Sequence, residues 1–98
     1  MASSKQILTG NELAALIREL PAWAVEDGQL VRTWTFGDFV QAMVFVDRVA
    51  QLAEEANHHP DIDIRYNRVR IALTTHDEGG ISALDFALAE AIERVRES

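Results

Sequence analysis

Between Asp61 and Thr74 the chain alternates apolar and polar residues almost without a break. Ile62, Ile64 and Tyr66 are interleaved with Asp61, Asp63 and Arg65, and Val69, Ile71 and Leu73 with Arg70, Ala72 and Thr74. A period of two marks strands with one buried and one solvated face. Asn67-Arg68 is the expected turn, although Arg suits the second position of a tight hairpin turn poorly. With that turn Tyr66 pairs with Val69, Ile64 faces Ile71 and Ile62 faces Leu73. Every large apolar residue then shares one face, which supports the register.

The same unit occurs earlier in the chain. Asp27-Gly28 is a strong two-residue hairpin signal, with Trp23 to Glu26 before it and the β-formers of 29–36 after it. Leu30, Trp34 and Phe36 share a face, and Arg32 is an exception expected at its edge. Helices are expected around these hairpins. In residues 9–20, Thr9 and Glu12 have capping-box spacing, Leu13, Leu16, Ile17 and Leu20 recur at helical spacing, and Pro21 ends the run. A second helix runs from Asp38, its N-cap, to about Asn57. A third starts at Ser82, with Asp85 as the acid of its capping box and Leu84, Leu88, Ala91, Ile92 and Val95 as its stripe. The element order is α-β-β-α-β-β-α.

The second helix carries Phe39, Met43, Phe45, Val46, Val49, Ala50, Leu52 and Ala53 around an arc of about 180°, where a helix on one core usually needs about 100°. The excess points to a second apolar contact, most simply a homo-oligomer (dimer or tetramer) formed through helix 38–57. The alternative is that the first helix covers it.

At 98 residues the chain has room for a single domain, 1–98. Nine Lys and Arg against 16 Asp and Glu leave a net charge of −7, which argues against nucleic acid and anionic membrane as partners. The absence of cysteine excludes disulfides, thiolate chemistry and Cys-based zinc sites. No apolar run is long enough to span a membrane, and Met1 to Lys5 lacks a signal-peptide apolar region, so a cytoplasmic location is expected.

All three histidines, His58, His59 and His76, lie in or beside the second hairpin. The register above puts His59 opposite His76, with Cβ atoms about 5 Å apart if pairing or near-pairing persists past Pro60. Glu54 lies one helical turn before His58. An imidazole titrates near neutrality and can give or take a proton, so two or three beside a carboxylate supply an acid and a base. The blander reading is a polar end of the long helix interacting with its dipole. A metal site is disfavoured, because adjacent histidines face different ways and no helical His pair exists.

The run Glu54-Glu55-Ala56-Asn57-His58-His59-Pro60, then Tyr66, Thr74-Thr75-His76 and Asp85, resembles the signature of the pterin-4a-carbinolamine dehydratases. The resemblance covers nearly the whole chain. It implies an α+β fold, a four-stranded antiparallel sheet with three helices packed on one face, and dimers or tetramers to which the long helix contributes. It implies dehydration of 4a-hydroxytetrahydropterin to quinonoid dihydropterin, recycling the cofactor of aromatic amino acid hydroxylases. Acid–base catalysis falls by similarity on His58 and His76, and substrate binding with catalytic support on His59. Trp23, Glu54, Asn57, Thr74, Thr75 and Asp77 match positions at or near the pterin. Asn57 stands where some members carry Asp, which removes a charge and any proton-accepting role there. Asp85 matches the signature too, but its spacing from Ser82 favours the capping role.

The implied chemistry needs no metal, cofactor or covalent nucleophile. Hydroxide leaves C4a poorly, so an imidazolium must protonate it while N5 loses its proton. Two other functions stay open: an interaction module that stabilises dimers of a protein partner, and dehydration of another pterin, as in molybdopterin metabolism. Arg65, Arg68 and Arg70 read as a solvated edge that discourages strand addition, with anion attraction near the site as the alternative.

Overall fold

The two hairpins join into one sheet. A computed structural model describes residues 6–75 and 78–97. Its elements are α1 (Gly10–Ile17), β1 (Ala24–Glu26), β2 (Gln29–Thr35), α2 (Phe39–Ala56), β3 (Asp61–Arg65), β4 (Arg68–Leu73) and α3 (Ala83–Glu97). The strands are antiparallel in the order β1-β2-β4-β3, so β2 and β4 are central and each hairpin contributes one edge. The order α-β-β-α-β-β-α and the α+β class are as expected.

Helix ends follow local chemistry. Thr9 and Glu12 exchange both capping-box hydrogen bonds at the start of α1. The helix stops at Ile17, earlier than its apolar spacing suggests, because Pro21 pushes Leu20 out of helical geometry. Glu19 and Leu20 instead make tighter bonds to Leu16 O and Ile17 O, at 3.0 Å each. Asp38 caps α2 through Gln41 N. Asn57 ends it in the left-handed region at φ 50°, ψ 43°.

One face of the sheet meets the helices. Leu30, Trp34, Val69, Ile71 and Leu73 from the strands pack with Ala42, Phe45 and Val49 of α2 and Phe86, Leu88, Ala89 and Ile92 of α3. Phe86 and Ala89 join a stripe read from sequence without them, while Leu84 and Ala91 are only half-buried. Arg32 shares the buried face. Its guanidinium lies 4.7 Å from the Trp34 ring centroid and pairs with Glu93 of α3, which also accepts from Trp23 Nε1 at 2.7 Å.

The second hairpin departs from the expected register. The turn is Tyr66-Asn67, not Asn67-Arg68, and the pairs are Arg65↔Arg68, Ile64↔Val69 and Ile62↔Ile71. This is a two-residue slip from the sequence reading. A slip of two keeps every side chain on its own face, so the alternation that supported one register supports the other equally. A contact from outside the hairpin selects between them. Asn67 O accepts from Phe36 N and Asn67 Nδ2 donates to Phe36 O, both at 2.8 Å, while Arg68 pairs with Thr35 of β2. Tyr66 takes the left-handed turn position at φ 53°.

On α2, Ala42, Phe45, Val49 and Ala53 are buried and Met43, Val46 and Leu52 half-buried. Phe39, Val40 and Val44 remain exposed at 47%, 69% and 50%. Val40 and Val44 widen the apolar surface beyond the arc expected from the sequence. No helix among the described residues is long and apolar enough to cross a membrane.

Candidate active site at the junction of helix α2 and strand β3

The site begins with the left-handed Asn57. One residue in that conformation reverses the chain at the end of α2, and asparagine adopts it at lower cost than most residues. Asn57 N donates back to Glu54 O and His58 N to Ala53 O, at 3.2 and 3.0 Å, closing the last helical turn. The next two side chains then diverge. His58 turns inward, with its side chain 11% exposed, and His59 turns outward at 58%.

His58 Nε2 lies 2.5 Å from Oδ1 of Asp85, a fully buried carboxylate in the first turn of α3. The other oxygen, Oδ2, accepts from Ser82 N at 2.8 Å and from the Thr75 hydroxyl at 3.0 Å. Thr75 and Ser82 are themselves buried, and their hydroxyls meet at 2.6 Å. Asp85 therefore has two roles, of which the sequence suggested only the first. It closes the α3 cap and it holds a histidine.

His59 Nε2 pairs with Glu54 Oε2, one turn back on α2. Both partners are largely exposed, so the pair contributes little to folding. It leaves a carboxylate and an imidazole facing solvent beside the nearly buried His58.

Thr74 Oγ1 shares its one hydrogen between Gly28 O and Gly80 O, at 3.2 and 3.1 Å, tying the first hairpin to the loop before α3. Thr75 is engaged throughout. Its N donates to Gly80 O, its carbonyl accepts from Glu78 N and Gly79 N, and its hydroxyl serves Asp85. Both threonines are thus engaged in shaping the site wall.

The third histidine, His76, and Asp77 lie outside the described residues. The observed register does correct the expected pairing of His59 with His76. Extended past the last pair, Asp61↔Ala72, it brings His59 level with Thr74 and His58 level with Thr75. The ladder stops at Asp61, since Pro60 has no N–H to donate. The register thus brings His58 level with the threonine whose hydroxyl reaches the carboxylate holding it.

Trp23 is not brought to this site within one chain. It enters β1, the edge opposite β3, three strand spacings or about 14 Å across the sheet. It is buried against Trp34, with ring centroids 5.5 Å apart, and lines a depression of about 510 Å³ with Leu20, Pro21, Glu90, Glu93 and Arg94. Arg65, Arg68 and Arg70 line a separate depression of about 250 Å³ with Thr33 and Asp63, on the sheet face away from the helices. Among the described residues no three His, Asp or Glu side chains converge as metal ligands would.

Sequence reading missed the Asp85–His58 contact, although both residues belong to the signature. The missing signal was the double use of one carboxylate, which needs α3 placed against the end of α2.

Known proteins resemble this chain in sequence and fold. The family model described as Pterin 4 alpha carbinolamine dehydratase matches residues 6–95. A Chloroflexus aurantiacus protein assigned by name to the pterin-4-alpha-carbinolamine dehydratases is 53% identical over 88 residues, covering 90% of this chain and 95% of its own. A Thermomicrobium roseum protein so assigned is 56% identical over 80 residues, covering 82% and 86%. The crystal structure of a transcriptional coactivator/pterin dehydratase from Brucella melitensis superposes with a TM-score of 0.88 at 34% identity, covering 92% of this chain and 98% of that one. A pterin dehydratase-like protein identified as a RuBisCO assembly factor in the alpha-carboxysome gives a TM-score of 0.63 at 26% identity, covering 78% and 88%.

Proposed function

Because this chain belongs to the pterin-4a-carbinolamine dehydratase family, we propose that it converts 4a-hydroxytetrahydropterin to quinonoid dihydropterin and water by histidine acid–base catalysis, in tetrahydropterin recycling. The observation that carries this reading is a nearly buried imidazole, His58, held by a buried carboxylate directly beside a solvent-facing imidazole–carboxylate pair.

The reaction needs a proton delivered to the departing C4a hydroxyl and another removed from N5. Two imidazoles of opposite protonation state meet both needs near neutral pH. His58 and His76 take these roles. His59, oriented by Glu54, faces the solvent from which substrate arrives and supports binding. Asn57 places both histidines. Thr74 and Thr75 shape the wall, and Asp77 belongs to the substrate-binding set by resemblance to the family. No metal or bound cofactor is called for in this scheme.

Stopped-flow absorbance of 4a-hydroxytetrahydropterin dehydration, with and without the protein, tests the reading against the spontaneous rate. Removing both His58 and His76 is expected to return a folded protein to near that rate, a loss of about 10²–10⁴-fold if acid and base act as such groups usually do. Full activity in the double variant would refute it. No acceleration by the wild type would move the assignment to another pterin.

We further propose that the chain associates with copies of itself through the exposed apolar face of α2. Phe39, Val40 and Val44 there lie on one side of the helix, and burial of such a stripe favours association.

A further inference from the structure

We propose that His58 meets substrate through Nδ1, and that Thr75 is a positioning residue that keeps it so by fixing Asp85. The inference rests on the dehydratase reading for its chemistry and on the hydrogen-bond geometry for its substance.

The hydrogen atoms around Asp85 have one consistent arrangement. Oδ2 accepts from Ser82 N–H and Thr75 O–H. Thr75 has a single hydroxyl hydrogen, and it is spent on Asp85. At the 2.6 Å contact between hydroxyls Ser82 must therefore be the donor. Ser82 Oγ in turn accepts from Leu84 N at 3.2 Å. Each hydroxyl thus has one fixed direction, and all three side chains are at most 3% exposed, so water does not compete. With Oδ2 occupied by two donors, the carboxylate can neither rotate nor exchange oxygens freely, and Oδ1 stays aimed at His58 Nε2. A carboxylate oxygen accepts, so the neutral ring carries its hydrogen on Nε2 and its lone pair on Nδ1. The nitrogen that Asp85 does not use is Nδ1.

In the dehydration this makes His58 the base. The N5–H proton passes to Nδ1, and the N5 electron pair forms the C4a=N5 bond. The C4a–O bond breaks, and the oxygen leaves as water with a proton from the second imidazole. Exchange with solvent resets both rings. The imidazolium formed at His58 is held by the same Asp85 contact, as in other carboxylate–histidine pairs.

The test combines ring ¹⁵N NMR of the histidines with steady-state kinetics. Wild-type His58 is expected as the Nε2–H tautomer, and a spectrum with the hydrogen on Nδ1 would overturn the proposal whatever the variants do. Thr75→Val keeps the side-chain shape and removes the hydroxyl. It is expected to turn the His58 signal into a mixture of tautomers and to lower kcat about tenfold, with KM within about twofold, because the base is present but no longer held in one form. Thr75→Ser restores both. A Thr75→Val protein with wild-type tautomer and kcat would refute Thr75 as the positioning residue, as would a fall in kcat with the tautomer unchanged. The NMR arm needs no substrate. A wild type without dehydratase activity would therefore defeat the functional reading, and the spectra would still decide this one.

Discussion

Asn57 shows how one residue's conformation sets the direction of a site. Its left-handed backbone ends α2 and sends His58 inward and His59 outward. A residue with a Cβ carries a cost of about 1–2 kcal/mol in that region, which asparagine partly avoids. Asn57→Ala is expected to lower stability by about 1 kcal/mol, and Asn57→Gly to stay within a few tenths of wild type. Urea unfolding of the three proteins checks this. The match of this position to a substrate-binding one in the family has a local explanation as well, since both Asn and Asp tolerate the turn. Asp85 makes the same point in reverse. Its capping spacing from Ser82 is visible in the sequence, yet its contact with His58 depends on two segments 27 residues apart meeting.

At the scale of elements, α2 carries the largest discrepancy between what the single chain buries and what it offers. Eighteen residues give about 27 Å of helix. Its inner side is satisfied by β4 and α3, whereas Phe39, Val40 and Val44 are left to solvent. Charges placed on that face are expected to block association without disturbing the inner packing. Sedimentation velocity on Val40→Lys with Val44→Lys should show a lower association state than wild type, with an unchanged far-UV circular dichroism spectrum. A variant that sediments like wild type would remove α2 as the interface. The second hairpin was legible as an element, down to which residues face the core, but its register was not. Alternation reports parity alone, and a slip of two residues preserves parity.

At the scale of the whole molecule, the sheet's centre is where both hairpins and the helices depend on one another. Ile71 is fully buried on β4 between β2 and β3 and faces the helices. Ile71→Ala is expected to cost about 2–5 kcal/mol. In a domain of this size each kcal/mol lowers the melting temperature by about 4–8 °C. Ile64, half-buried on the edge strand β3, should cost clearly less when cut to alanine. Calorimetry on the two variants gives the comparison. Equal losses would mean that the edge strand is covered in solution, since burial is what distinguishes the two positions.

The element order, the helix caps at Thr9, Asp38 and Ser82, the Asp27-Gly28 turn and the apolar faces of the strands were all readable from the chain alone. Each is a local matter, decided by propensity, period or the chemistry of a few neighbouring residues. The histidines were readable too, as residue types in a signature. What only the tertiary structure decided was which groups meet. Phe36 selects the turn of the second hairpin, Glu93 draws Arg32 and Trp23 together at the far edge, and α3 brings Asp85 to His58. Those choices depend on the relative placement of elements distant in sequence, and neither local propensity nor the period of two contains that information.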